Sequence, residues 1–80
     1  MTRLKLFARA RDLAGVPMLE LELPESATAA DLRVVLGEQV PALQPILSSL
    51  LIAVGNDYAS PTTQVAGRTD LAVFPPVSGG

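Results

Sequence analysis

The side chains that most often carry catalysis are missing from this chain, whose 80 residues include no histidine and no cysteine. That removes the commonest general bases, nucleophiles and transition-metal ligands. Ser26, Ser48, Ser49, Ser60 and Ser78 have no imidazole to activate them, and the single lysine, Lys5, falls inside an alternating segment. The acids are scattered without calcium-loop spacing, and Gly15, Gly37, Gly55 and Gly67 stand singly, so no phosphate-binding loop is expected. Neither a metal site nor a bound cofactor is expected. Attention therefore falls on Val77-Ser78-Gly79-Gly80. Two glycines without side chains can pass through a channel closed to any other residue, with backbone angles other residues avoid. By themselves Gly79 and Gly80 fit either a tail that enters a partner's channel or a frayed terminus, and if the chain takes part in catalysis a partner supplies most of the machinery.

The rest of the chain must position that tail. Hydrophobic residues make up 49 % of it and aromatics only 4 %, so the core is built from Leu, Val, Ile and Ala. Without cysteine there is no disulfide framework, which suits a reducing compartment. The net charge of −2 comes from dispersed charges with no cluster of Lys and Arg, so no nucleic-acid partner is expected. The apolar runs are too short to span a bilayer. Met1-Thr2-Arg3-Leu4-Lys5 enters an alternating pattern at once, without a signal-peptide apolar region. A soluble, cytoplasmic protein is expected, with no membrane partner.

Leu4, Leu6 and Ala8 alternate with Arg3 and Lys5, which predicts a half-buried strand over residues 2–8; Phe7 falls on the polar side, implying that this side is partly covered. A second strand is predicted over residues 18–23, with Leu19, Leu21 and Leu23 inward and Glu20 and Glu22 outward, bracketed by Pro17 and Pro24. The segment between them has room for one helical turn. Thr28 and Asp31 have capping-box spacing, and Leu32, Val35, Leu36 and Val40 then form one helical face. Gly37 weakens that helix by about 1 kcal/mol relative to Ala, and Pro41 ends it. Residues 42–49, interrupted by Pro45, form at best a short helix or turn.

The apolar run Leu50 to Val54 predicts a strand buried on both faces. Gly55-Asn56-Asp57 is a turn, Tyr58-Ala59 a brief edge strand, residues 67–70 another turn, and Leu71 to Phe74 the last strand before Pro75-Pro76. One main helix on one face of a mixed sheet is a two-layer α+β architecture. The first and last strands are placed to pair in parallel, with the helix in the crossover. This is the element order of a β-grasp domain over residues 1–76, followed by a flexible Gly-Gly tail over residues 77–80.

Phe74-Pro75-Pro76-Val77-Ser78-Gly79-Gly80 resembles the C-terminal signature of the small subunits of molybdopterin synthase. The stretch from Leu6 to Gly15 is similar to that family's first strand and short helix, and Leu51-Ile52-Ala53-Val54 to its buried strand. Two departures are visible. Gly55 precedes Asn56 where the family commonly has Asn directly after the buried strand, and the turn before the last strand reads Gly67-Arg68-Thr69-Asp70.

The resemblance implies a ubiquitin-like sulfur carrier that is not catalytic alone. An E1-like adenylyltransferase would use ATP to activate the Gly80 carboxylate, and sulfur would then replace the leaving group to give a thiocarboxylate. Docked on the large synthase subunit, in a heterotetramer, the carrier would give its sulfur to a cyclic pyranopterin monophosphate. A thiocarboxylate provides a soft nucleophile without any cysteine. The resemblance assigns Phe74, Pro75, Pro76, Val77 and Ser78 to partner binding, with Arg11 as a further partner or tail contact. It favours Phe74 as an exposed anchor over Phe74 as ordinary core. Related readings are a sulfur carrier for thiazole or cysteine biosynthesis, and a ubiquitin-like modifier joined through Gly80 to target lysines.

Overall fold

Alternation builds the first strand, β1 (Thr2–Leu6), with Thr2, Leu4 and Leu6 buried and Arg3 and Lys5 exposed. The computed structural model describes residues 1–76. After β1 come α1 (Ala8–Ala14), β2 (Met18–Leu21), α2 (Ala29–Gln39), a 3₁₀ helix (Pro41–Ser49), β3 (Leu51–Val54), β4 (Asp57–Tyr58) and β5 (Leu71–Phe74). The sheet order is β2-β1-β5-β3-β4. β1 and β5 are parallel neighbours, in register from Leu4–Leu71 to Leu6–Val73, as the strand order predicts. The other pairings are antiparallel. The fold is a ubiquitin-like β-grasp with the helices on one face of the mixed sheet.

The core between sheet and helices is aliphatic: Leu4, Leu6, Ile52, Leu71 and Val73 from the strands meet Leu32, Leu36 and Leu43. The α2 N-terminus has the capping box its sequence announces. The Thr28 N–H donates to Asp31 Oδ2 at 2.9 Å, and the Asp31 N–H donates to Thr28 Oγ1 at 3.4 Å. Leu32 and Leu36 are fully buried, and Val35 and Val40 pack against them from partly buried positions. Gly37 does more than loosen the helix. A Cβ there would come within 2.5 Å of Leu47 Cδ2 and 2.7 Å of Gln44 Nε2, so its bareness lets the 3₁₀ helix lie against α2. Gln44 Nε2 donates to the Gly37 carbonyl at 2.9 Å across that contact. Among the described residues no helix is long and apolar enough to cross a membrane.

Several sequence expectations are corrected. β1 stops at Leu6 because Ala8 takes a left-handed backbone conformation (φ 52°), which turns the chain into α1 and leaves Ala8 exposed instead of in the core. α1 is seven residues long, more than the single turn expected, and closes on Gly15 at φ 79°. β2 ends at Leu21, two residues early, with Leu23 packing on the core from beyond the strand. The 3₁₀ helix holds nine residues across Pro45. Its tighter winding bonds each N–H three residues back, and it buries Leu43. β3 is not buried on both faces: Ile52 is buried, whereas Leu51, Ala53 and Val54 are only partly so.

Candidate functional site: the open sheet face and the tail

The face of the sheet turned away from the helices is where β3 and β5 keep apolar side chains that the core does not take up. Register aligns them. Met18, Lys5, Ala72, Ala53 and Tyr58 lie in one row across all five strands. Phe74 lies opposite Leu51 in the next row towards the end of β5. The Phe74 ring sits 6.0 Å from that of Tyr58, tilted by 49°, the range in which aromatic pairs attract. Tyr58 is 71 % exposed, Met18 42 % and Phe7 45 %. Phe7 belongs to the same face by alternation with Lys5. Its N–H donates to the Val73 carbonyl at 3.1 Å, which extends the β1–β5 ladder to the end of the last strand. Its carbonyl accepts from Ala10 and Arg11, so the left-handed turn at Ala8 and the first turn of α1 hold it in place.

Phe74 is therefore partly buried by its neighbours on an open face, and is not in the main core. Pro75 is partly buried and Pro76 exposed; both follow β5 directly and carry the chain off the sheet's central strand. Neither proline can donate a ladder hydrogen bond, so β5 stops there. Val77, Ser78, Gly79 and Gly80 lie outside the described residues. Arg11 is not on the open face. It sits on α1, its side chain 55 % exposed, with Nε 4.0 Å from Asp12 Oδ1. An exposed pair at that distance holds it weakly.

The turn before β5 is closed on itself. Arg68 Nε donates to Asp70 Oδ1 at 2.8 Å and Arg68 Nη2 to Asp70 Oδ2 at 2.6 Å. These hydrogen bonds hold the Asp70 carboxyl below its ordinary pKa and raise that of Arg68. The turn's one acid is thus engaged locally, at the start of β5. Among the described residues no three His, Cys, Asp or Glu gather where a metal ion would fit.

Residues 4–80 match the ThiS family. The chain belongs to that family. Among curated relatives, the molybdopterin synthase sulfur carrier subunit of Arabidopsis thaliana is 39 % identical over 75 residues, 94 % of this chain and 78 % of that one. Among solved structures, SAMP1 from Haloferax volcanii is 28 % identical with a TM-score of 0.82, covering 98 % of this chain and 97 % of that one. The putative molybdopterin converting factor subunit 1 from Pyrococcus furiosus is 33 % identical with a TM-score of 0.80, covering 94 % and 95 %. The family resemblance drawn from the residues is thus upheld.

Sequence reasoning about this ThiS-family chain found Phe74 and missed Phe7, Leu51 and Tyr58 as members of one patch. The signal for Phe7 was present: an aromatic at the polar parity of an amphipathic strand marks either a covered face or an exposed docking residue. For Tyr58 no signal was available, because its pairing with Phe74 depends on β3 lying between β4 and β5.

Proposed function

We propose that this chain is the sulfur carrier subunit of a molybdopterin synthase, with the Gly80 carboxylate as the group that carries sulfur. A carboxylate is a poor electrophile. Adenylation by a partner enzyme with ATP gives it a good leaving group, AMP, and a sulfur donor then displaces AMP to leave the thiocarboxylate. In the synthase the terminal sulfur bonds to the cyclic pyranopterin monophosphate, water then cleaves the acyl–sulfur bond and returns the Gly80 carboxylate, and two loaded carriers supply the two sulfurs of one dithiolene. The chain's own residues bind and aim: Phe74, with Phe7, Leu51 and Tyr58, offers an apolar surface to the large subunit, and Pro75 and Pro76 stiffen the root of the tail. A stiff root lowers the ordering cost of docking.

The observation that carries this reading is the direct run from the central strand β5, through Phe74-Pro75-Pro76, to Gly79-Gly80, in a chain 39 % identical to a molybdopterin synthase sulfur carrier. The test is intact mass of the protein made beside its adenylyltransferase and sulfur donor. One oxygen-to-sulfur exchange, mapped to the C-terminal peptide and lost when Gly80 is deleted, is the expected result. Sulfur on an internal residue, or none under sulfur-replete conditions, counts against the carrier. A second reading, a protein modifier joined through Gly80 to lysines, draws on the similarity to the small archaeal modifier protein 1 of Haloferax volcanii. Conjugates of this chain in a lysate of its own cells would favour it.

A further inference from the structure

The modest net charge of −2 hides a polarity along the molecule. β1 and β5 run in parallel towards the tail end, β2 starts there, and α1 is inserted there after Phe7. At that end stand Lys5, Arg9 and Arg11, all exposed, against Asp12 and, on the helical side in the last turn of α2, Glu38. Glu22 and Glu25 follow β2 at the opposite end, with Asp57 beside the β3–β4 turn and Asp70 before β5; the cations there are Arg68, paired with Asp70, and the Met1 ammonium. Arg3 and Glu20, cross-strand partners 3.5 Å apart, cancel each other between the two ends. Arg33 donates to the Leu47 carbonyl on the helical side and takes no part in the polarity. Among the described residues Lys5 and Arg9 have no ion-pair partner, and Arg11 has only its 4.0 Å contact with Asp12.

An acidic chain that gathers its unpaired cationic side chains beside its one exposed aromatic patch is arranged for a partner of opposite sign. We propose that Lys5 and Arg9, with Arg11, form a basic rim that docks the open face onto an acidic protein surface. The occupant is the large synthase subunit, presenting an apolar hollow ringed by carboxylates. This rests on the carrier reading and adds to it the chemistry of the partner and the residues that select it. Lys5 lies inside the patch, between Met18 and Ala72, and its long stem covers apolar surface while its ammonium stays at the solvent edge. Arg9 stands one residue past the left-handed turn at Ala8. Rim charges of this kind act on the rate and orientation of encounter more than on residence time. The acidic far end would be repelled by the same surface, so approach is biased towards tail-first arrival.

The experiment measures association of the full chain with the large synthase subunit by stopped flow across a salt series. The chains compared are wild type, Lys5→Glu/Arg9→Glu, the neutral Lys5→Gln/Arg9→Gln, and a far-end control, Glu22→Lys/Glu25→Lys. Melting temperature checks that each is folded, which exposed positions permit. The double reversal should slow association by about tenfold or more at low salt, with the neutral pair in between. The difference should close towards 1 M salt, where the Debye length is about 3 Å. The far-end control should associate as fast as wild type or faster. Equal rates for the double reversal and wild type would overturn the rim. So would loss of binding to heparin or to phosphatidylserine vesicles while association with the protein partner is unchanged, and so would loss of self-association alone. Sulfur loading of the wild type, read by mass, is independent of the rim: its absence defeats the carrier reading, whereas loading with equal rates defeats only the rim.

Discussion

Phe74→Ala separates an anchor from a core residue, because the two roles predict losses in different measurements. A phenylalanine fully enclosed in a core costs about 3–5 kcal/mol on truncation to alanine. Phe74 is enclosed on one side only, by Leu51 across the β3–β5 ladder and by the Tyr58 ring at 6.0 Å. Losing half that burial, including an aromatic pair worth about 0.5–1.5 kcal/mol, should destabilise the free chain by about 1–2 kcal/mol. For a domain of this size that lowers the melting temperature by roughly 4–16 °C. Docking should suffer more: an aromatic anchor in a desolvated pocket is worth at least about 2 kcal/mol, a weakening of roughly thirtyfold in Kd. Thermal unfolding by circular dichroism gives the first number, and titration calorimetry with the large subunit, at a temperature where the variant is folded, gives the second. A double-mutant cycle with Tyr58→Ala then shows whether the rings act together. Unfolding losses above about 3 kcal/mol with unchanged docking would place Phe74 among the core residues and refute the docking face.

Three further outcomes are expected. Sulfur transfer should fall stepwise from Gly79 to Gly79→Ala to Gly79→Val while the melting temperature stays constant; a valine variant working at the wild-type rate would remove the narrow-channel explanation of the paired glycines. Ala8 sits at φ 52°, where a non-glycine residue carries a penalty of about 1–2 kcal/mol, partly offset in glycine by its freer unfolded chain. Ala8→Gly should therefore match or slightly raise the melting temperature and Ala8→Val should lower it, and equal melting of the two would show that this turn stores no strain. Asp70 is held below its ordinary pKa of 3.8, so its ionised pairing with Arg68 contributes fully above that value and is lost as pH falls through the lower folded value. Urea unfolding of Asp70→Asn should accordingly show a flatter decline below pH 3.8 than wild type, and identical declines would show the pair to be without effect.

What the sequence disclosed follows from how local each feature is. The capping box at Thr28 and Asp31 needs only a three-residue spacing, and the structure has both of its hydrogen bonds. The parallel β1–β5 pair followed from strand order and crossover handedness. Features that depend on what lies opposite were harder to read. The run from Leu51 to Val54 carries the signature of two-sided burial, yet one side faces the open sheet surface, because sequence alone does not distinguish a second core from a docking face. Gly37 reads as a helix weakness until Leu47 and Gln44 are seen packed against it. Ala8 offers no glycine or asparagine to announce a left-handed turn, so the alternation in sequence runs on past the end of β1 at Leu6. Gly79 and Gly80 drew attention because a chain without histidine or cysteine has few other reactive groups, and they lie outside the described residues.

The strand that leads into the tail is the middle one of the sheet, hydrogen-bonded to β1 on one side and β3 on the other. A pull on the C-terminus therefore loads both ladders along their length, so that their hydrogen bonds must give way together in shear; an edge strand peeled from its end would release them one at a time. A partner can thus hold and draw on the tail without unravelling the body behind it. The same geometry sets a mechanical threshold against unfolding machines that grip this chain by its C-terminus, while the short edge strand β4 offers no comparable resistance.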